Sequence, residues 1–357
     1  MTGTVRAPGR VNLIGDHTDY NEGLVLPVAI DRECTVAVRA IGGSRVRMTS
    51  SDADGTVDVS ANGDDEPPDV RPLWGRYVAG VVRALAERGR PPVGLEAHVS
   101  STVPVGAGLS SSAALEVAVA LALSRSADFG LQQLELARAC QEAEQAATAV
   151  PCGIMDQLAS LAGRRDHALL IDCRSLEMEP VPLPDGIALV VVESGVARSL
   201  DETAYAARRA ECEAVAARLG LPSLRDATAA QVADEPRARH VVSENERVLA
   251  AADALRRNDV EELGTLLSRS HASLRDDFEV STPELDVLVG TLGRCGAFGA
   301  RLTGAGFGGC VVAVAPAATA RQVADEAVRR YTSATGLDAR AWTCRAVDGA
   351  LPRLRSR

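Results

Sequence analysis

No CxxC pair and no histidine–cysteine cluster at zinc-ligand spacing occurs in the 357 residues, so neither a disulfide framework nor a structural zinc site is indicated. The eight cysteines lie scattered from Cys34 to Cys344 and fit reduced thiols in a cytoplasm. Excess positive charge is missing too. A net charge of −10 and a pI near 5.2 set the protein's mean field against nucleic acids and anionic membrane surfaces, so neither partner is expected. Long apolar runs are also lacking. The N-terminal MTGTVRAPGRVNLIG has no uninterrupted apolar centre of the kind a signal peptide needs, and the apolar stretch 113–123 is short and carries Glu116. No repeat or low-complexity tract stands out. What is present is 46% apolar and 24% charged residues, the balance of a soluble globular chain with a sizeable core. The length allows two domains.

Short strand-like runs fill the first hundred residues: VNLIG, GLVLPVAI, CTVAVRA, VRMTS and the alternating LEAHVS. A helix is expected over LWGRYVAGVVRALAERG, ending at Gly89, while the polar, turn-rich segment 50–72 reads as a surface excursion. Three helical runs follow between 110 and 162, the last two separated by Pro151 and Gly153. The strand IALVVVESG (187–195) marks the start of a second domain. The second half is mostly helical, with start signals at Ser243 and Glu246 (a capping box) and at Thr282 before Pro283. It closes on two strands around a glycine loop, a helix and a last strand. This order predicts α+β layers rather than one doubly wound sheet.

Three stretches carry chemistry. In VSSTVPVGAGLSSSAALEVAVALAL (99–123), a strand enters the loop Gly106-Ala107-Gly108-Leu109-Ser110-Ser111-Ser112, which opens into a helix. Glycines admit close approach of a ligand, and free N–H groups with the helix dipole favour an anion. A Walker loop would require a lysine that is not there, and the Rossmann pattern finds Ser111 where its third glycine belongs. A plain capped helix explains one serine but neither glycine. The second stretch, LTGAGFGGC (302–310), has a backbone bare enough to press against a neighbouring loop or ligand, although hairpin turns also use glycine. The third, GRVNLIGDHTDYNEG (9–23), crowds Asp16, His17, Thr18, Asp19, Tyr20 and Asn21 into one turn, either as a solvated loop or as a polar binding surface. Glu144 and Asp156, taken singly, read as a solvated helix charge and a dipole complement of about 0.3–1 kcal/mol. Placed just after a phosphate loop, they fit phosphoryl transfer, which uses one acid for Mg²⁺ and another near the attacking hydroxyl.

Together these motifs resemble the galactokinases, members of the GHMP small-molecule kinase superfamily. GRVNLIGDHTDYNEGLVLP, PVGAGLSSSAALEV and LTGAGFGGC stand in the family's order, and PCGIMDQL and HASLRDDFEVSTPELD are similar as well. The resemblance spans nearly the whole chain. It implies an α+β fold of two domains, here 1–184 and 185–357, the first like a ribosomal-protein S5 domain 2 and the second like a ferredoxin-type sandwich, with the site in the cleft between them. It further implies ATP-dependent phosphorylation of galactose at its C1 hydroxyl by a cytoplasmic monomer. By the same carry-over, Asp16, His17, Thr18, Asp19, Gly153 and Tyr205 bind the sugar. Arg10 and Asp156 are catalytic, and residues 106–112 with Trp74 hold ATP. Ser112 and Glu144 hold Mg²⁺. Asp16 stands where the family commonly has Glu, a carboxylate expected near the sugar's C6 hydroxyl, which bears on sugars such as L-arabinose. A kinase for another sugar, such as L-arabinose or N-acetylgalactosamine, is the nearest alternative. A sugar- and ATP-binding regulator without turnover is a further one; the intact serine loop, Arg10, Glu144 and Asp156 favour catalysis over it.

Overall fold

The computed structural model describes residues 2–196 and 202–351; Met1 and residues 197–201 and 352–357 of the expected domain spans lie outside it. The chain begins with β1 (Thr2–Asn12), β2 (Leu24–Val25), β3 (Pro27–Ala40), β4 (Arg45–Ser50) and β5 (Val57–Ser60), then α1 (Gly75–Glu87) and β6 (Leu95–Ser101). Helices α2 (Ser111–Ser126), α3 (Gln133–Thr148) and α4 (Met155–Ala162) lead to the hairpin β7 (His167–Asp172) and β8 (Met178–Pro182). After β9 (Ile187–Glu193) come α5 (Glu202–Arg218), α6 (Pro236–Arg256), α7 (Val260–Asp276) and α8 (Pro283–Arg294). Strands β10 (Gly299–Thr303) and β11 (Cys310–Pro316), helix α9 (Ala320–Thr335) and β12 (Arg340–Cys344) complete it.

Alternating side chains decide how these pieces stack. A five-stranded sheet ordered β1-β3-β6-β4-β5 packs against α1, α2 and α4, with α3 laid on those helices, and a four-stranded antiparallel sheet ordered β10-β11-β9-β12 carries α8 and α9. In β9, Leu189 and Val191 point into the first hydrophobic core, and Val190 and Val192 into the second. Strand β11 does the same, with Val312 and Val314 on one side and Val311 and Ala313 on the other. A strand buried on both faces reads as a continuous apolar run, which is why LVVV lacks polar alternation. The second sheet is therefore a wall shared by both cores, and packing is continuous across the 184/185 division.

Three expectations need correction. Segment 50–72 is not wholly surface, because Val57 and Val59 are buried and β5 pairs with β4 as a sheet edge. GLVLPVAI and CTVAVRA do not form two strands but merge, apart from the short β2, into the 14-residue β3. Ser243 caps nothing: it lies within α6, its hydroxyl bonded to the Arg239 carbonyl at 2.6 Å, since Pro236 already opened that helix seven residues earlier. Thr282 does cap α8, accepting from the Leu285 N–H.

Helix α2 is buried almost all round, as an apolar helix must be. Beside it α1 and α3 approach closely at Gly80, where an added Cβ would sit 2.6 Å from the Ala143 carbonyl oxygen. That oxygen is backbone and cannot swing aside. We expect Gly80→Ala to destabilise the protein by roughly 1–3 kcal/mol, the usual penalty of overpacking. A urea titration checks this; an unchanged midpoint would contradict the packing.

Candidate active site

Strand β1 and helix α4 meet at one ion pair. The register of β1 on β3 shifts between Pro8 and Arg10, where Gly9 alone faces the three residues Ile30, Asp31 and Arg32, so the extra residues belong to β3 and β1 runs straight through Arg10. Arg10 is buried and donates from Nε to Asp156 Oδ1 at 2.8 Å and from Nη2 to Oδ2 at 2.7 Å. Asp156 sits in the first turn of α4, where the helix dipole favours a carboxylate. The phosphate loop joins the same pair: Ser110 donates its hydroxyl to Asp156 Oδ2, and Arg10 Nη1 donates to the Gly108 carbonyl at 2.7 Å.

The loop's shape follows from its residues. Gly106 and Gly108 take φ of 78° and 83°, left-handed conformations that glycine allows at no steric cost, and Ser110 at φ 58° takes the same region against the usual penalty of a side chain. Ala107 and Leu109, expected among the nucleotide-binding residues, turn their side chains into the core. They anchor the loop and leave only main-chain atoms for a ligand. Gly9, which sequence reasoning passed over, lets the loop dock on β1, since a Cβ there would meet the Leu109 oxygen at 2.6 Å. Ser112 at the start of α2 donates to Glu144 Oε1 at 2.6 Å. Burial first, and then the nearby Asp156, push the Glu144 carboxyl above its ordinary range. Among the described residues no group of three or more His, Cys, Asp or Glu could hold a metal ion by itself. One hydroxyl beside one carboxylate instead fits a Mg²⁺ that arrives with a nucleotide and keeps several waters.

The polar turn is held from behind. Gly15 takes φ 100° where a Cβ would strike the Leu24 carbonyl oxygen at 2.6 Å. Its N–H donates to Glu244 Oε1, the Asp16 carbonyl accepts from His240 Nε2, and the Leu24 N–H donates to Asn245 Oδ1. These three α6 residues escaped sequence reasoning, because nothing in a helical pattern shows what its buried polar face will meet. Burial alone would push the Glu244 carboxyl up, yet the Arg247 and His240 charges bring it down to about 2.

Three of the expected sugar ligands turn out to be engaged within the protein. Asp16 accepts from Arg301 Nη2 at 2.5 Å, from Asn12 Nδ2 at 3.0 Å and from the Gly304 N–H at 3.3 Å. A carboxylate offers about four acceptor sites, so roughly one is left. His17 donates from Nε2 to the Ala305 carbonyl and accepts from the Tyr20 hydroxyl at Nδ1; burial lowers its pKa to about 3 and keeps the ring neutral. Thr18 is fully buried, with its hydroxyl between the Gly15 and Leu24 carbonyls, and serves the turn rather than a sugar. Asp19 alone of the four keeps a carboxylate on the cavity without a side-chain partner among the described residues. It faces Gly153 so closely that a Cβ there would come within 1.8 Å of Oδ2.

One cavity of about 510 Å³ joins these groups, lined by Arg10, Asp19, Asp156, Gly153, Ser110 and Ser112 among others. Tyr205 of α5 closes the turn's side, its ring 5.4 Å from Tyr20. The second glycine loop closes another side with Gly304–Phe307, pressed onto Val280, whose carbonyl oxygen a Cβ at Gly306 would meet at 2.4 Å. Trp74 lies on the far wall with Tyr77 and Leu115, its Nε1 donating to the Asp54 carbonyl. A second hollow, on the open face of the five-stranded sheet, is flanked by the solvated Arg39–Glu96 pair and lacks any such convergence.

Burial and the Asp156 charge push the Asp19 carboxyl up to about 7. A folded value above the unfolded 3.8 means that the folded protein favours the proton. That contribution to stability is complete below the unfolded pKa and is lost as pH rises through about 7. Asp19→Asn cannot ionise, so in ligand-free protein its melting temperature should gain on the parent's between about pH 5 and 8 by on the order of 2–4 °C. A gap that does not change with pH would contradict the assignment.

The chain matches the galactokinase galactose-binding signature over residues 2–40, the GHMP kinases N-terminal domain over 76–164 and the GHMP kinases C-terminal domain over 251–333. A galactokinase of Roseiflexus sp. (strain RS-1) is 46% identical over 360 residues, covering 97% of this chain and 91% of the relative. The crystal structure of Lactococcus lactis galactokinase complexed with galactose superposes with a TM-score of 0.92 at 32% identity, over 98% of this chain and 94% of that one. Methanococcus jannaschii mevalonate kinase shares the fold alone, with a TM-score of 0.73 at 19% identity over 98% and 99% of the two chains. The chain belongs to the galactokinase family of the GHMP kinases.

Proposed function

We propose that the chain transfers the γ-phosphoryl group of ATP to the C1 hydroxyl of galactose, giving galactose 1-phosphate and ADP. The observation that carries this reading is the Arg10–Asp156 pair, bonded to the phosphate loop on one side and set beside the Asp19–Gly153 contact on the other. A sugar held by Asp19 and the backbone at Gly153 brings a hydroxyl to Asp156. Of that carboxylate's roughly four acceptor sites, three are taken by Arg10 and Ser110. The fourth accepts the attacking hydroxyl's hydrogen bond and, as the bond to phosphorus forms, its proton. Arg10 places a fixed cation against the charge that builds up on the transferring group.

The N–H groups of residues 106–112 cradle the phosphates, and the wall at Trp74 accommodates the base. Ser112 and Glu144 would hold Mg²⁺, which when bound neutralises phosphate charge. No helix among the described residues is long and apolar enough to cross a membrane.

The commitment of Asp16 to Arg301 favours a second activity at the same site. If the carboxylate that the family sets near C6 is tied into the protein, removal of the C6 hydroxymethyl group should be tolerated. In an ADP-release assay we expect D-galactose to be preferred and L-arabinose to be turned over with kcat/KM lower by roughly 10–200-fold. Preference for any other sugar over galactose would overturn the substrate reading. Asp156→Asn should lower kcat by roughly 10²–10⁴-fold, and Arg10→Ala by about 10²–10³-fold. A change confined to KM would make either one a binding residue. Gly153→Ala should do the converse, raising the galactose KM by about tenfold for some 1.4 kcal/mol of displaced Asp19; an unchanged KM would place the sugar elsewhere.

A further inference from the structure

Glu116 is the one charged residue among the buried positions of α2, it is fully buried, and it does not line the cavity. Its recorded partner is Gln157, equally buried, on α4 next to Asp156. The two hydrogens of the Gln157 amide are both used: Nε2 donates to Glu116 Oε2 at 3.1 Å and to Glu144 Oε2 at 2.7 Å. Glu144 is thereby gripped by one oxygen while the other takes the Ser112 hydroxyl.

Two buried oxygens in this group have no partner, Glu116 Oε1 and Gln157 Oε1. Both are acceptors when Glu116 is ionised, and each then carries an uncompensated desolvation penalty. A single proton on Glu116 removes both faults. A carboxylic acid has one O–H to donate, and an acid edge facing an amide edge closes a ring of two hydrogen bonds, N–H to acid oxygen and O–H to amide oxygen. Burial and the Glu144 charge also push the Glu116 carboxyl well above its ordinary range. Apolar side chains at both positions would fill α2 and α4 without orphaned polar atoms, so the pair's use must lie in what it touches, namely Glu144.

We propose that Glu116, as a neutral carboxylic acid, and Gln157 form an acid–amide pair that aims the Glu144 carboxylate at the nucleotide's divalent cation. Both are positioning residues, and the inference rests on the reading of Glu144 given above.

The test is calorimetric titration of ADP in the presence of Mg²⁺ and in the presence of a chelator, the ratio of the two affinities reporting the cation's contribution without turnover. Gln157→Leu and Glu116→Leu should reduce that ratio by about 10–100-fold, the usual loss when a group behind a metal ligand is removed. ADP affinity in chelator should stay unchanged. Glu116→Gln should retain the ratio, because an amide at 116 reproduces the neutral ring of two bonds. A ratio lost equally in Glu116→Gln and Glu116→Leu would show that an ionised carboxylate is needed, and a ratio retained in Gln157→Leu would show that the pair aims nothing; either result overturns the proposal. Glu144→Gln separates the two levels. If that variant keeps the ratio, the reading of Glu144 itself fails, whereas loss there with retention in Gln157→Leu sinks the pair alone. Should Glu116→Leu not fold, the Gln157→Leu and Glu116→Gln arms decide.

Discussion

A bidentate contact between a guanidinium and a carboxylate, Arg10 with Asp156, sets the geometry on which the rest of the site depends. Its planar fork fixes angle as well as distance, so β1, the phosphate loop and the first turn of α4 take up one arrangement. Each partner is prepared locally. The Arg10 N–H donates to the Leu109 carbonyl of the phosphate loop at 3.1 Å, and Ser160 of α4 donates to the Pro8 carbonyl on the same strand. Ahead of α4, the loop from Ala149 to Gly153 is tied to the second half of the chain, where Arg209 of α5 donates to the Pro151 carbonyl at 2.6 Å. Buried pairs of this kind add little net stability. Under the proposed function, the gain is a fixed charge at the point where phosphoryl transfer needs one.

All 38 basic residues in the chain are arginine and none is lysine. The charge proposed to meet phosphate therefore cannot be lost by deprotonation, and it comes with direction. The same chemistry recurs at Arg301, fully buried on β10, which reaches across to Asp16 and the Leu13 carbonyl. The polar turn thus rests on one face on α6, through His240, Glu244 and Asn245, and on another on β10. Neither half of the chain supports this turn alone. The shared wall of β9 and β11 keeps the two halves in register behind the cleft.

What could be read from the residues was whatever depends on local backbone chemistry. The two glycine loops were legible because left-handed φ and close approach select glycine, and the Thr282 cap because its bond spans three residues. The expected catalytic, phosphate and cation residues also lie on one cavity, apart from Ala107 and Leu109, which point inward. Side-chain partners across hundreds of residues were not legible. Asp16 and His17 line the cavity as expected, but the partners that take up most of their bonding capacity, Arg301 and the Ala305 carbonyl, lie 285 and 288 positions away. Thr18 has the chemistry of a ligand, but its own turn consumes it. Ser243 followed by Glu246 satisfied a local rule inside a helix that had already begun. Glu116 was noticed only as an interruption of an apolar run, since its meaning depends on Gln157 in another helix.

The central claim is spatial: the sugar's C1 oxygen and the terminal phosphorus of the nucleotide meet beside Asp156 and Arg10. A crystal structure with galactose and a non-hydrolysable ATP analogue tests it most directly. The account predicts that oxygen within about 3–3.5 Å of the γ-phosphorus and hydrogen-bonded to Asp156, with the phosphates on the 106–112 loop. A sugar bound in that cavity with another hydroxyl facing the phosphorus, or with Asp156 turned away from it, would contradict the account.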